Sequence, residues 1–92
     1  LEFAFRQALE RLAARFSTDP TLGPLELLDA SVNLLSKLPF QVNLWEVQNL
    51  YYGILKTVYP AKVKQTELGD PLARRWVECF MNLSLKLRIR VL

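Results

Sequence analysis

The sequence contains no histidine, and this absence limits the chemistry that it can perform. Histidine is the usual general base near neutral pH and the commonest metal ligand in proteins. The single cysteine, Cys79, cannot form an internal disulfide or supply a zinc site by itself. The glycines Gly23, Gly53 and Gly69 are too widely separated to form a phosphate-binding loop. We therefore expect no catalytic residues, no metal and no cofactor, and we predict that these 92 residues alone are not an enzyme.

Long apolar runs are also absent. No stretch approaches the roughly 20 residues that cross a bilayer, and no signal-peptide pattern is present, so we expect a soluble chain with no membrane partner. One cysteine fits a reducing compartment and favours a cytoplasmic location. The chain begins at Leu1 inside an amphipathic pattern, without Met or a capping residue. We therefore expect residues 1–92 to form a single domain of a longer polypeptide.

Basic residues are concentrated in the second half of the chain. Residues 1–49 carry four basic and six acidic groups, whereas residues 50–92 carry eight basic and three acidic groups. The cations are scattered over at least two predicted helices and a tail, and no known nucleic-acid-binding motif accompanies them. The pattern therefore disfavours nucleic acid as a partner and indicates solvated helix faces instead.

Apolar residues at three- and four-residue spacing predict a small all-α bundle of about four helices. The first helix covers about residues 2–16, and the second begins at Gly23 and Pro24 and ends at Pro39. The third runs from Asn43 to about Val58, and the fourth covers about 71–84. A short helical segment over residues 61–68, ended by Gly69, is a further expectation.

Two of these helices have well-marked beginnings. Asn43 is a natural N-cap, Glu46 stands three residues later to complete a capping box, and Val42 and Val47 occupy the positions of a hydrophobic staple. Asp70 before Pro71 is a second N-cap pair. The expected core faces of the second and fourth helices are Leu27, Ser31, Leu34, Leu35 and Leu38, and Leu72, Trp76, Cys79, Phe80 and Leu83.

The C-terminal residues follow a different period. Residues 85–92 alternate apolar and basic side chains, which is typical of a half-buried strand and predicts an extended, strand-like tail. No other segment has this rhythm, so the tail either lies against the helices or pairs outside the chain, which would make it a homo-oligomer contact. A continuation of the fourth helix is the alternative.

One face of the third helix is the candidate contact surface. Trp45, Gln48, Asn49 and Tyr52 share this face beside the apolar one, and it is rich in aromatic rings and amides. Such a face suits a sugar, whose C–H surface stacks on rings while its hydroxyls need donors and acceptors, and it equally suits a protein interface. The simpler alternative is that the rings cover the edge of the core and Gln48 bonds to a neighbouring backbone.

Part of the sequence resembles a known family. The segments that carry the likeness are Leu38-Pro39-Phe40, Val42-Asn43-Leu44-Trp45-Glu46, Gln48-Asn49 and Tyr51-Tyr52. They resemble the C-terminal helical region, a domain of unknown function, found in proteins related to the family 57 glycoside hydrolases. The likeness is closest over residues 38–59, and elsewhere it is mainly one of helical pattern.

The resemblance implies a role beside a carbohydrate-active enzyme. It implies that the domain is a non-catalytic accessory unit that packs against the catalytic domain of its parent, with Trp45, Asn49 and Tyr52 near an α-glucan substrate. The catalytic carboxylates would lie in that other domain, so the resemblance assigns none of them to this chain. The rival hypothesis is an independent interaction or oligomerisation module.

Overall fold

The computed structural model describes residues 2–88, and all the regular secondary structure in this part of the chain is helical. Its α-helices are α1 (Glu2–Thr18), α2 (Leu22–Asn33), α3 (Trp45–Thr57), α4 (Tyr59–Glu67) and α5 (Pro71–Lys86), and a 3-10 helix (Leu34–Lys37) extends α2. The predicted all-α class is confirmed, but the described residues form five α-helices and not four. The extra one is α4, which corresponds to the short segment predicted over residues 61–68.

Helix α1 continues two residues beyond its predicted end. The hydroxyl of Thr18 donates to the carbonyl of Arg15, and the backbone N–H of Asp19 reaches the same carbonyl. These bonds extend the last turn, so that the helix ends before Pro20 and not before Ser17.

The predicted core face of α2 is wrong at Leu27 and Leu34, whereas Leu35 packs against the core as predicted. Leu27 and Leu34 are about half exposed, whereas Leu25, Leu28 and Val32 are buried. Both sets of residues have helical spacing, so periodicity alone does not choose between them. In the structure α2 packs on α1 and α5, and Glu26 and Asp29 form ion pairs with Arg75 and Lys86 of α5. With its carboxylates turned toward α5, α2 presents the Leu25 face to the core.

The N-cap of α3 lies one residue later than predicted. The first helical residue is Trp45, and Leu44 occupies the cap position without a side-chain cap. Asn43 Oδ1 still accepts the N–H of Trp45 at 2.9 Å, so the side chain satisfies a free amide as expected. The predicted capping box with Glu46 does not form. Val47 is buried and Val42 packs against the core, as the staple requires.

Helix α5 begins as predicted but continues further. The Asp70 carboxylate accepts the N–H groups of Leu72 and Ala73, at 2.9 and 3.3 Å, and Gly69 precedes it with φ of 94°. At the other end, Leu85 and Lys86 are helical, so the strand prediction is wrong for these residues. The buried side chains Trp76, Phe80, Leu83 and Leu87 continue a helical spacing, which outweighs the two-residue alternation.

Residues 89–92 lie outside the described residues, and so does the remainder of the predicted tail. Leu72, predicted to be core, is largely exposed because Ala73 takes the buried position one residue later. Cys79 is half-buried at the edge of the core.

Aromatic rings from α3, α4 and α5 stack in the centre of the domain. The centroid of the Phe80 ring lies 4.1 Å from the centroid of Tyr51, 4.7 Å from that of Trp76 and 5.5 Å from that of Tyr59. The polar atoms of these rings are also satisfied, since the Tyr51 hydroxyl donates to the Phe80 carbonyl and Trp76 Nε1 donates to the Pro20 carbonyl. The stack therefore joins the helices that hold the candidate site.

Candidate functional site

An open cleft lies where the 3-10 helix, the segment 38–44 and the C-terminal end of α5 meet. Its volume is about 1050 Å³. The side chains that line it come mainly from the connection between α2 and α3, which runs from 34 to 44 without α-helical structure. Its apolar walls include Val32, Leu35, Leu38, Val42, Leu44 and Leu87. Several of these residues also pack on the core, so the cleft is backed by folded structure.

Trp45 stands at the edge of this cleft. It is the first residue of α3, and 66 % of its surface is exposed. By contrast, Trp76 is 1 % exposed in the core. A ring with two thirds of its surface in solvent does not cover the core edge, so that simpler interpretation is wrong for Trp45. Large aromatic side chains with this exposure are enriched where proteins bind other molecules.

The four predicted contact residues are only partly brought together. Trp45 and Gln48 line the cleft, whereas Asn49 and Tyr52 do not. Asn49 and Tyr52 are exposed on the outer surface of α3, and Tyr52 retains 43 % of its surface. The predicted face therefore divides into a cleft-lining pair and a solvent-facing pair.

Gln48 has a structural role in the cleft wall. Its side-chain Nε2 donates to the backbone carbonyl of Leu87 at 2.8 Å, which ties α3 to the end of α5. The alternative that Gln48 bonds to a neighbouring backbone is thus confirmed. Asn43 Oδ1 is likewise occupied by the N–H of Trp45, and Asn33 also has a partner within the chain. Gln48 and Asn43 therefore each use one polar group of the amide inside the chain.

The charged groups that line the cleft are cations. Lys86 Nζ forms an ion pair with Asp29 Oδ1 at 2.9 Å, and both side chains are less than one third exposed. Arg88 is exposed and makes no ion pair with any residue in the range 2–88. No carboxylate lines the cleft among the residues that the structure describes. The cleft consequently has a positive character at its Arg88 end.

Comparisons with protein-family models, with curated proteins and with solved structures gave no match for this chain. They therefore lend no support to the resemblance to proteins related to family 57 glycoside hydrolases, which stays a hypothesis. The function has to be argued from the cleft itself.

Titratable groups elsewhere do not form a reactive centre in the described part of the chain. Burial, aided by the nearby carboxylates of Asp29 and Glu26, raises the pKa of the Cys79 thiol to about 11. Burial also raises the pKa of Tyr51. Both groups are therefore protonated near neutral pH. Residues 2–88 hold no cluster of three side chains that would suit a metal ion.

The structure adds cleft residues that sequence reasoning missed. Leu35 and Leu38 were assigned to a helix core face, and Leu87 and Arg88 to an extended tail, yet they meet in one cleft. The only sequence signal for this site is Pro39 followed by Phe40, which interrupts the helical period just before Trp45. Within residues 2–88, none of the helices combines the length and apolar composition that a bilayer crossing requires.

Proposed function

We propose that this chain is a non-catalytic helical accessory domain that packs against another domain of its polypeptide through the cleft and Trp45. The observation that carries the proposal is the exposure of Trp45 beside an apolar cleft. A buried Trp removes about 150 to 250 Å² of surface from water, at roughly 25 cal/mol for each Å² of apolar area. Because 66 % of Trp45 is exposed, covering the exposed part would contribute about 2.5 to 4 kcal/mol to an interface.

The resemblance to family 57 proteins would make the partner the catalytic domain of the parent. An α-glucan that contacts Trp45 is the finer form of the same proposal. Gln48 Nε2 and Asn43 Oδ1 are bonded inside the chain, and each of these bonds uses only one end of its amide. The exposed Trp45 ring beside a lining in which apolar residues outnumber polar ones favours a protein partner over direct contact with the glucan.

The experiment compares Trp45 in the full-length polypeptide with Trp45 in the 92-residue chain. Hydroxyl-radical footprinting followed by mass spectrometry measures the oxidation of each side chain. We expect oxidation of Trp45 to fall severalfold in the full-length protein, because the partner domain covers it. Met81, which is 45 % exposed on α5 away from the cleft lining, is the internal control and keeps its rate. Equal oxidation of Trp45 in both proteins would overturn the proposal.

A titration of the 92-residue chain with malto-oligosaccharides tests the glucan version separately. The readout is the fluorescence of Trp45 in a Trp76→Phe variant whose fold has been checked by circular dichroism. A saturable change that disappears in Trp45→Ala would support glucan contact. No change at any concentration would remove the glucan and leave the partner-domain proposal standing.

A second candidate function is self-association through α5. Met81 and Leu85 are exposed at i and i+4 on the outward face of this helix, and Leu85 is 77 % exposed. Sedimentation over a range of concentrations tests it. A mass that rises with concentration and returns to the monomer in Leu85→Lys would favour this role, whereas a constant monomer mass would exclude it.

A further inference from the structure

We infer that the segment held in the cleft is an apolar stretch of a partner domain that carries carboxylates beside its apolar side chains. This inference rests on the proposed function and adds the chemistry of the partner. It combines two properties of the cleft: apolar walls, and a cation that has no counter-ion among residues 2–88.

The apolar part follows from the walls. Leu35, Leu38 and Leu44 contribute aliphatic surface and Trp45 contributes an exposed ring at the edge. A cleft of about 1050 Å³ has room for several side chains of a docked helix or extended segment. Its shape and lining are therefore those of a groove that takes apolar anchor residues.

The bonded amides hold the wall of the cleft in place. Gln48 Nε2 donates to the Leu87 carbonyl, and Asn43 Oδ1 accepts the N–H of Trp45. These bonds tie the beginning of α3 to the end of α5 and to the segment before it, so the walls are formed before a segment docks.

The charge selects acidic residues on that segment. Asp29 pairs with Lys86, so within the part of the chain that the structure describes Arg88 is the lining cation without a counter-ion. Lys37, which precedes Leu38, adds a second exposed cation close by in sequence. Glu46 follows Trp45 but does not line the cleft. A carboxylate on the partner would therefore meet Arg88 without an opposing negative charge among the described lining residues.

Three synthetic amphipathic peptides test the inference. They share one pattern of leucines and differ only at the polar positions, which are all Glu, all Gln or all Lys. Binding to the 92-residue chain is followed by the NMR signal of the Trp45 indole N–H. The indole N–H of Trp76 is the internal reference, because it is buried and bonded to Pro20. We expect the Glu peptide to shift the Trp45 signal and to bind about tenfold more tightly than the Gln peptide.

Two charge-reversed variants provide the matched comparison. Arg88→Glu should weaken the Glu peptide about tenfold, because a like charge replaces its counter-ion. Lys64→Glu changes the net charge by the same amount on α4, where Lys64 is exposed and lies outside the cleft lining, and it should leave affinity within about twofold.

Several results would overturn the inference. Equal affinity for the Glu and Gln peptides would show that binding does not require carboxylates. No shift of the Trp45 signal with any of the peptides would show that the cleft does not bind such a segment. Binding that appears only after deletion of residues 89–92 would make those residues the occupant. A Trp45 shift that depends on protein concentration alone would show that the occupant of the cleft is a second copy of the chain. None of these results bears on protection of Trp45 in the full-length protein, so failure of the proposed function is recognised separately.

Discussion

Phe80 lies among the rings of Phe16, Tyr51, Tyr59 and Trp76, and it is fully buried. Stacked and tilted aromatic pairs add about 0.5 to 1.5 kcal/mol each beyond the burial of their area. Its backbone carbonyl also accepts the hydroxyl of Tyr51 at 2.8 Å. This one residue therefore connects α1, α3, α4 and α5 through its side chain and backbone.

Truncation of this ring should be strongly destabilising. We expect Phe80→Ala to lower the free energy of unfolding by about 3 to 5 kcal/mol, because the cavity removes both the apolar contacts and the ring stacking. Urea denaturation followed by circular dichroism measures the change. Leu72→Ala is the control, since Leu72 is 70 % exposed on the same helix and should change stability by less than about 0.5 kcal/mol. Similar losses in both variants would contradict the assigned buried face.

The thiol of Cys79 should react slowly at neutral pH. Burial, aided by the carboxylates of Asp29 and Glu26, raises its pKa to about 11, and the thiolate is the reactive form. We expect the rate of alkylation by iodoacetamide to keep rising to about pH 11 in the folded chain. A cysteine in a model peptide, with a pKa near 8.5, should reach its plateau earlier and serves as the control. A plateau near pH 9 in the folded chain would contradict the burial.

The same shift has a definite sign in stability. The pKa of Cys79 is higher in the folded state than the value near 8.5 of a free thiol, so the neutral thiol favours the folded state. This contribution is fully present below about pH 8.5 and is lost as the pH rises toward 11. The free energy of unfolding should fall over that window, and Cys79→Ser should show a smaller fall.

At the scale of elements, the beginning of α5 depends on Asp70. Its carboxylate accepts two backbone N–H groups of the first turn. We expect Asp70→Ala to cost about 0.5 to 2 kcal/mol in urea denaturation, because both amides lose their acceptor and a favourable charge leaves the helix N-terminus. Asp19 is exposed between α1 and α2 and makes no side-chain bond with the described residues. Asp19→Ala should therefore be nearly neutral, and an equal effect at both positions would argue against capping.

Two helices, α5 and α4, could be predicted from short-range features of the sequence. The beginning of helix α5 was predictable because a local cap, Asp70 with Pro71, precedes a helical stripe through Trp76 and Phe80. The short helix α4 was predictable from the terminator Gly69, whose φ of 94° suits a residue without a side chain. In each case the deciding interaction lies within a few residues along the chain.

The face of α2 and the candidate cleft could not be predicted in this way. Two leucine stripes on α2 have equal periodicity, and the choice between them involves Arg75 and Lys86, far along the chain. The cleft likewise joins Leu38 to Leu87 across the fold. Trp45 and Gln48 were found from sequence because they share one helix face. The engagement of Gln48 by the Leu87 carbonyl was visible only in three dimensions.

For the whole molecule, one core links the helices. Buried residues of α1, α2, α3 and α5 form a single hydrophobic cluster, and the Cα radius of gyration is 13.1 Å. A compact domain of this length is expected to have a radius of about 12 Å, and the larger value reflects an elongated shape with extents of 44 × 23 × 22 Å. Helix α4 contributes no fully buried residue and covers the cluster with Tyr59.

This organisation predicts a single cooperative unfolding transition. In a Trp45→Phe variant, the fluorescence of Trp76 reports the core and far-ultraviolet circular dichroism reports all the helices. We expect the two urea transitions to coincide, because no group of helices has a core of its own. Wild-type chain followed by circular dichroism alone is the control for the substitution. Separate midpoints would show that part of the bundle unfolds independently.

The backbone of Arg88 has a practical consequence. Its φ of 60° lies in the left-handed region, which costs less conformational energy for asparagine and glycine than for arginine. Exchanging this arginine for asparagine should therefore raise the melting temperature while it removes the positive charge. A substitution that damages the fold usually lowers binding and stability together. In this variant the affinity for the Glu peptide should fall while the melting temperature rises.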